Sequence, residues 1–476
     1  MGEDIGQTAF TPDDYAAFRD RLRRETNTLK RWFDERRFDH DPGHMIGLEI
    51  EAWLVDRDCL PSPQAEEFIA TANDERIVPE LSKFNFEMNA DPRTLDGDCL
   101  DGLQQDIDRL WDRCARAGAT LNLKPLTTGM LPTVRDEMLQ PAWMADANRY
   151  KALNAALLAA RESEPLHIKI SGHDTLDYRC DHIMLEASCT SLQAHLKVNQ
   201  DEAVRMYNAS VIASAPLVAA SANSPFLYGN SLWAETRIPA FEQSTKVHSF
   251  PDRAGRDVLR VTLGTGYLRH SLLELFLENL SYPVLLPMLR EDDGELPHVR
   301  LQNGTIWRWN RPIIGFDGDQ NPHLRVEQRV MPSGPTVTDM IANLALYYGL
   351  ALALGQRADA PEKTIPFEDA RANFYACAKH GLDATVRWEG HSFDIRTLLL
   401  EELLPAAKAA LAGSGLNADS LDHYFDSILR ERISTGQTGA DWQRSYYSNN
   451  GRNFQALTER YVELQASGDP VHQWPI

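Results

Sequence analysis

Four short stretches of the chain alternate apolar and polar residues, and in each the polar positions carry groups that bind metals or phosphates. They are residues 47–53 (GLEIEAW), 84–89 (FNFEMN), 193–198 (QAHLKV) and 325–330 (RVEQRV). A period of two is the signature of a strand, whose successive side chains point to opposite faces. Glu49 and Glu51 therefore share a face, separated by about 6.6–6.8 Å along the strand. Trp53 lies on that face too, while Leu48, Ile50 and Ala52 take the other. The same parity places Glu327 beside Arg325 and Arg329, and His195 beside Gln193 and Lys197. A sheet with hydrocarbon on one face and carboxylates, imidazole and guanidinium on the other suits several divalent cations and a polyphosphate.

A single Glu-Ile-Glu reads most simply as a half-exposed strand with a solvated face. Four such strands with different ligand types favour a site, because solvated faces seldom repeat Glu beside a lone His. Glu80 and Glu87 are an odd number of residues apart, so one regular strand would put them on opposite faces; a bulge or turn is required if both are ligands. Arg311, Arg329 and Arg237 can pair with carboxylates, or can clamp a substrate carboxylate or a phosphoryl group. A rival set, His167, His173, Cys180, His182, Cys189 and His195, contains zinc-type ligands but lacks the spacing of structural zinc sites. Gly264-Thr265-Gly266 lacks the third glycine of a dinucleotide fingerprint, and the chain contains neither a GK[ST] P-loop nor a GxSxG elbow.

The formal net charge of −21 over 476 residues disfavours nucleic acid and anionic membrane as partners. An acidic protein that handles a polyphosphate must meet it locally, with bound cations and a few Arg or Lys. The acidic start, Met1-Gly2-Glu3-Asp4, does not read as a secretory signal. The longest apolar runs, about 211–220 and 342–355, fall short of the ~18 residues of a spanning helix. Six Cys without CxxC spacing fit reduced, buried thiols. A cytoplasmic protein is the expectation.

Helices are expected at 11–37, 63–73, 94–117, 146–161, 200–215, 267–280 and 336–354. Strands are expected around 47–53, 76–90, 121–126, 167–171, 183–198, 304–309, 312–316 and 324–330. Residues 221–237 form a polar, glycine-marked stretch too long for a tight turn, and loops of that length are often functional. Beyond about residue 361 the pattern is almost wholly helical. Several strands are separated only by turns, so antiparallel pairing and an α+β class follow.

Five motifs in order, Gly47-Leu48-Glu49-Ile50-Glu51, Phe86-Glu87-Met88-Asn89, Thr190-Ser191-Leu192-Gln193-Ala194-His195, Ala222-Asn223-Ser224-Pro225-Phe226 and Val326-Glu327-Gln328-Arg329, resemble those of the glutamate–cysteine ligase type 2 family, which includes bacterial carboxylate–amine ligases. The resemblance covers roughly 45–355. It implies a glutamine-synthetase-like fold, a curved antiparallel sheet backed by helices and forming a funnel. It also implies ATP and two or three Mg²⁺, with Mn²⁺ as an alternative ion. Glu49, Glu51, Glu80, Glu87, His195 and Glu327 would be metal ligands. Arg237 would hold the acyl substrate or the γ-phosphate, and Arg329 would stabilise the phosphoryl group in transfer. Arg311, Lys197, Gln193 and Asn223 would contact substrate or phosphate. The implied substrates are glutamate or a similar carboxylate and an amine such as cysteine, with amine selectivity set by loops such as 221–237. The chain would divide into an N-terminal helical extension (1–45), an ATP-dependent carboxylate–amine ligase core (46–360) and a helical C-terminal region packed on that core (361–476), with a homo-oligomer left open. The extensions exceed the compact members of the family. Two other readings remain: a phosphotransferase of the same fold, and a non-catalytic nucleotide-binding member.

Overall fold

The strand bearing Glu49 and Glu51 organises the molecule. In the computed structural model, which describes residues 5–39, 43–247, 250–251, 257–291 and 294–476, it is β1 (Met45–Val55). Short strands β2 (Ile77–Pro79) and β3 (Asn85–Asn89) lie to one side of it. β4 (Arg93–Thr94) and β5 (Lys124–Leu126) pair with its two ends. β6 (Ser191–Val198), β7 (Asn310–Phe316) and β8 (Pro322–Pro332) complete an eight-stranded sheet of order β7-β8-β6-β1-β3-β2. Every pairing in it is antiparallel.

The apolar face of the sheet is buried. Ile46, Leu48, Ile50, Ala52 and Leu54 join Phe86, Met88, Leu192, Ala194, Leu196, Leu324 and Val326 in one hydrophobic cluster. Helices α1 (Pro12–Asp34), α2 (Cys99–Leu121), α3 (Ala203–Ser221) and α4 (Val337–Gly355) contribute to the same cluster. α4 has the length and hydropathy of a membrane span, but nearly all of it is buried inside the fold. Trp53 and Val55 belong to a second cluster on the opposite side, with Leu81, Phe84, Tyr150, Leu157 and Ile183. Trp53 thus shares the carboxylate face, as parity requires.

Both terminal regions are bound into this core. Thr11 and Asp14 form a reciprocal capping box that starts α1. Phe18, Leu22, Leu29, Trp32 and Phe33 bury its inner stripe. The buried Glu25 carboxylate of α1 accepts from the backbone N–H of His298 and Val299 at 2.8 and 3.0 Å, and it also bonds the His298 ring. A carboxylate at the start of helix Pro297–Gly304 complements the positive end of its dipole. At the other end of the chain, Arg432 reaches α4 and α3 through Asp339, Asn343 and Ala220.

Several expected elements differ. The strand expected at 304–309 is instead the end of helix Pro297–Gly304 and an irregular lead into β7. Trp307 and Trp309 suggest a strand locally, but Pro297 occupies the first turn of a helix, where its missing N–H costs nothing. The helix expected at 267–280 shrinks to Leu273–Asn279, because Glu274 turns back to accept from the N–H groups of Arg269, His270 and Ser271. Residues 183–198 contain one strand preceded by a short turn of helix, Glu186–Ser188. The C-terminal region is helical except for the hairpin Thr385–Trp388 and His391–Asp394.

Candidate active site

Register across the sheet sets the first contacts. Glu51 lies opposite Glu87, Glu49 opposite Gln193, and Gly47 opposite His195. On the far side of β6, Glu327 lies opposite His195, and in the next strand Arg311 lies opposite Glu327. A register shift after Gln328 bends β8, while Gln328 itself turns to the helical side, donating to Asn310 at 2.9 Å and to the Ser210 carbonyl at 3.2 Å. Glu80 and Glu87 meet because a turn at 82–84, where Ser82 Oγ donates to Asn85 Oδ1 at 2.5 Å, separates β2 from β3.

These groups line one open cavity of about 980 Å³. Glu49, Glu51, Glu80, Glu87, Gln193, His195, Lys197, Arg311, Glu327 and Arg329 all border it. Two carboxylate groupings stand out. Glu49, His195 and Glu327 offer ligand atoms that lie within 4.8 Å of one another, and so do Glu51, Glu80 and Glu87. Gln193 and Arg329 join them: Gln193 Nε2 donates to Glu51 at 2.9 Å, and Arg329 donates to Gln193 and, at 3.1 Å, to Glu327. Arg311 holds Glu327 with two parallel bonds of 2.7 and 2.8 Å. His195 Nε2 is 3.1 Å from Glu49, and its buried Nδ1 has no hydrogen-bond partner among the described residues.

The two groupings are charged differently. Burial opposes ionisation of Glu327, but Arg311, Arg329 and His195 outweigh it and hold that carboxyl well below the usual range. Burial likewise opposes ionisation of Glu49, and His195 brings it down to about 2. The second grouping lacks this compensation. Burial and Glu80 push Glu51 up to about 8. Burial raises Glu80, and burial with Glu49 and Glu80 raises Glu87. Buried carboxylates so placed hold protons or a cation. An all-oxygen donor set is what a hard ion such as Mg²⁺ takes, so the second grouping fits one well. In the first, an ion would share Glu327 with Arg311.

A pH dependence follows. Raised carboxyls in the second grouping stabilise the fold while protonated, at low pH, and that contribution is lost as pH rises through their raised folded values, about 8 for Glu51. Glu49 and Glu327 are depressed, so their contribution is constant above the unfolded value and fails only in acid. A cation replaces the protons, so the rise in thermal midpoint on adding Mg²⁺ grows between about pH 6 and about pH 9. Calorimetry with Mg²⁺ against EDTA measures it. An increment independent of pH would contradict the cation fit.

Two residues expected at the site lie elsewhere. Asn223 is fully buried; its amide donates to the Ser333 carbonyl at 2.7 Å and to Tyr461 at 2.9 Å, and accepts from Gln443 at 2.8 Å. These bonds tie the C-terminal helices to the core. Arg237 is paired with Glu235 at 3.0 Å and donates to the backbone carbonyls of Arg329 and Val330. It grips β8 from beneath, outside the cavity lining. None of 221–237 borders the cavity; the stretch folds as a small hairpin, Phe226–Leu227 with Asn230–Ser231, leading into helix Arg237–Ser244. Of the rival zinc set, only His195 belongs to a metal-type grouping among the described residues. Cys180 donates to the His182 carbonyl, and His167 pairs with Asp177.

Arg325, which parity places beside Glu327, also lines the cavity, as do residues that sequence patterning does not single out: Arg149, Tyr150, Glu186, Arg300 and His323. Arg149 and Tyr150 open helix Asn148–Ala160 and Glu186 sits on a single turn, so no strand alternation marks them. Burial, Glu80 and Glu51 push Glu186 up to about 8.

A family model, glutamate-cysteine ligase family 2 (GCS2), matches residues 45–462. No curated protein matches the chain. Among solved structures, the chain is similar to a glutamate–cysteine ligase from Francisella tularensis in complex with AMP, at 15% identity and a TM-score of 0.51, with 90% of each chain covered. It is also similar to a bifunctional glutathione synthetase from Pasteurella multocida, at 11% identity and a TM-score of 0.50, covering 92% of this chain and 54% of that one. The likeness is one of fold, a curved antiparallel sheet backed by helices.

Proposed function

Because the chain belongs to glutamate-cysteine ligase family 2, we propose that it is an ATP- and Mg²⁺-dependent ligase that joins a carboxylate, glutamate or one like it, to an amine through an acyl phosphate. The observation that carries this reading is the convergence, in a single cavity, of two carboxylate groupings with Arg311, Arg325, Arg329 and Lys197.

The chemistry needs such a cavity. A carboxylate oxygen bonds to the γ-phosphorus as the bond to the ADP oxygen breaks. The amine nitrogen then bonds to the acyl carbon, phosphate leaves with the bonding pair, and the nitrogen gives up its proton. The first step brings two anions together, and charge develops on the equatorial oxygens. Bound Mg²⁺ would neutralise both reactants and align them; Glu51, Glu80 and Glu87 would hold one ion, and Glu49, His195 and Glu327 a second. Arg329, fixed by Glu327 and Gln193, presents a planar fork that suits the phosphoryl group in flight. Arg237 acts through Arg329 by gripping the backbone carbonyl of that residue, as a positioning residue.

Arg329→Lys keeps the charge and loses the fork. Arginines in comparable roles contribute roughly 10³–10⁵ in rate, so kcat falls by about 10²-fold or more while the KM for ATP changes little. Steady-state kinetics separates the two, and an unchanged kcat would remove Arg329 from the transition state. The reading as a whole is tested by ADP release with Mg-ATP, glutamate and a panel of amines, with mass spectrometry of the product. ADP formed only when both carboxylate and amine are present supports it. ADP with a stable phosphorylated product and no amine requirement would point to a phosphotransferase.

A further inference from the structure

The cavity has two unlike ends. Lys197, Arg300, Arg311 and Arg325 gather at one, a setting for phosphates. Glu51, Glu80, Glu87 and Glu186 gather at the other with Arg149, beside a hydrocarbon wall. Tyr150, Leu153 and Leu157, at helical spacing, put one face of helix Asn148–Ala160 into that wall, and Leu81, Ile183 and Ile5 extend it. All six belong to or pack against the second hydrophobic cluster. The wall is locked in place: Asn154 accepts from the Ile183 N–H at 3.1 Å, and Asn148 donates to the Ile5 carbonyl at 2.9 Å. Glu186 stands one turn beyond Ile183, its N–H bonded to the Ile183 carbonyl at 2.9 Å. Glu51, Glu80 and Glu87 each accept a hydrogen bond from the protein. The Glu186 carboxylate accepts none among the described residues.

We propose that this end is the acceptor subsite, and that it takes a primary amine with an apolar body, the amino group held by Glu186 and the hydrocarbon laid along the Tyr150–Leu153–Leu157 face. The proposal rests on the ligase reading above and names its second substrate.

Charge and burial decide between acceptors. Glu51, Glu80, Glu87 and Glu186 face Arg149 and Arg329 here, and one divalent ion held by the first three brings the balance to about neutral, so Glu186 is the carboxylate left to meet an ammonium group. An acceptor carboxylate would compete with Glu80 and Glu186 for Arg149, whereas the hydrocarbon of the wall presents it no donor and favours an apolar body. An ammonium group finds a partner in Glu186 and approaches the cavity where the acyl group is activated. Each methylene of the amine that leaves water against the wall strengthens binding about three- to fourfold.

The test uses the full chain with Mg-ATP and glutamate. Hydroxylamine comes first: it is small enough to reach an acyl phosphate without using the wall, and the hydroxamate it forms reports the ligase reading alone. Straight-chain amines from propylamine to hexylamine, and phenethylamine, are then compared with cysteine and alanine. The expected result is a kcat/KM that climbs about threefold per methylene and exceeds that for cysteine. Leu153→Asp, at a partly buried position of the wall and with a cooperative thermal transition as its control, flattens the climb, and Glu186→Gln raises the KM for amines while the KM for ATP stays within about twofold. Hydroxamate formation with cysteine preferred, or with no dependence on chain length in the unmodified protein, overturns the acceptor assignment and leaves the ligase standing. Absence of hydroxamate and of ADP overturns the ligase reading and the acceptor assignment with it.

Discussion

Glu327→Gln lowers amine-dependent ADP release by about 10³-fold or more, because several kcal/mol of charge stabilisation depend on this carboxylate and each 1.36 kcal/mol is tenfold in rate. Glu327 is the point at which the site's charges meet. It accepts two bonds from Arg311 and one from Arg329, and its second oxygen lies 4.0 Å from His195. The amide keeps one acceptor oxygen and loses the charge. Arg311 and Arg329 then lose the partner that orients them, and the Glu49–His195–Glu327 grouping loses an anionic ligand. Glu51→Gln, in the second grouping, is expected to act as strongly through the other ion. Both variants remain folded, with a cooperative thermal transition as the control, since the amide keeps the shape of the carboxylate it replaces. Turnover within about tenfold of the unmodified protein in both variants would remove the metal-site assignment.

Arg432→Ala destabilises the whole chain by about 3–5 kcal/mol, the cost of leaving one member of a buried ion pair without its partner. Arg432 and Asp339 are almost fully buried. The guanidinium donates to Asp339 at 2.8 Å, to Asn343 at 2.5 Å and to the Ala220 carbonyl at 3.2 Å. Asp339 also accepts from Thr336 Oγ1 at 2.9 Å and from the Val471 N–H at 3.0 Å. One contact network thus joins the C-terminal helices to α3, α4 and the last turn of the chain. Urea unfolding measures the loss. Arg432→Met with Asp339→Asn recovers part of it, because no buried charge is then left unpaired. A change under about 1 kcal/mol in the single variant would mean that the pair is screened like a surface one.

The metal-type groupings were legible because they depend on strand parity, a rule that acts over two residues. Glu49 with Glu51, and Arg325 with Glu327 and Arg329, follow directly from it. Glu80 with Glu87 required a turn, and the turn is there. What parity cannot supply is which strands adjoin, and the register that sets Glu327 opposite His195 comes from packing of the whole sheet. Asn223 and Arg237 were misplaced for a related reason. Asn223 sits in a motif that resembles the family's and Arg237 at the end of the 221–237 stretch, but their polar groups are taken up by backbone carbonyls, by Glu235 beside Arg237 and, for Asn223, by C-terminal residues more than 200 positions away. Glu186 and Arg149 escaped notice because a lone turn and a helix start carry no periodic signal. At 304–309 the local preference of two tryptophans for strand lost to the backbone geometry set by Pro297 and to the bond from the Trp309 N–H to the Thr262 carbonyl.

The central claim is that this cavity lets a carboxylate attack the γ-phosphate of ATP. Glutamate labelled with ¹⁸O in its carboxylates, turned over with Mg-ATP and an amine, tests it in one measurement by mass spectrometry of the inorganic phosphate. An acyl phosphate transfers one labelled oxygen to each phosphate released, and that is the result expected. Phosphate without label, from a reaction that still yields amide, would contradict it.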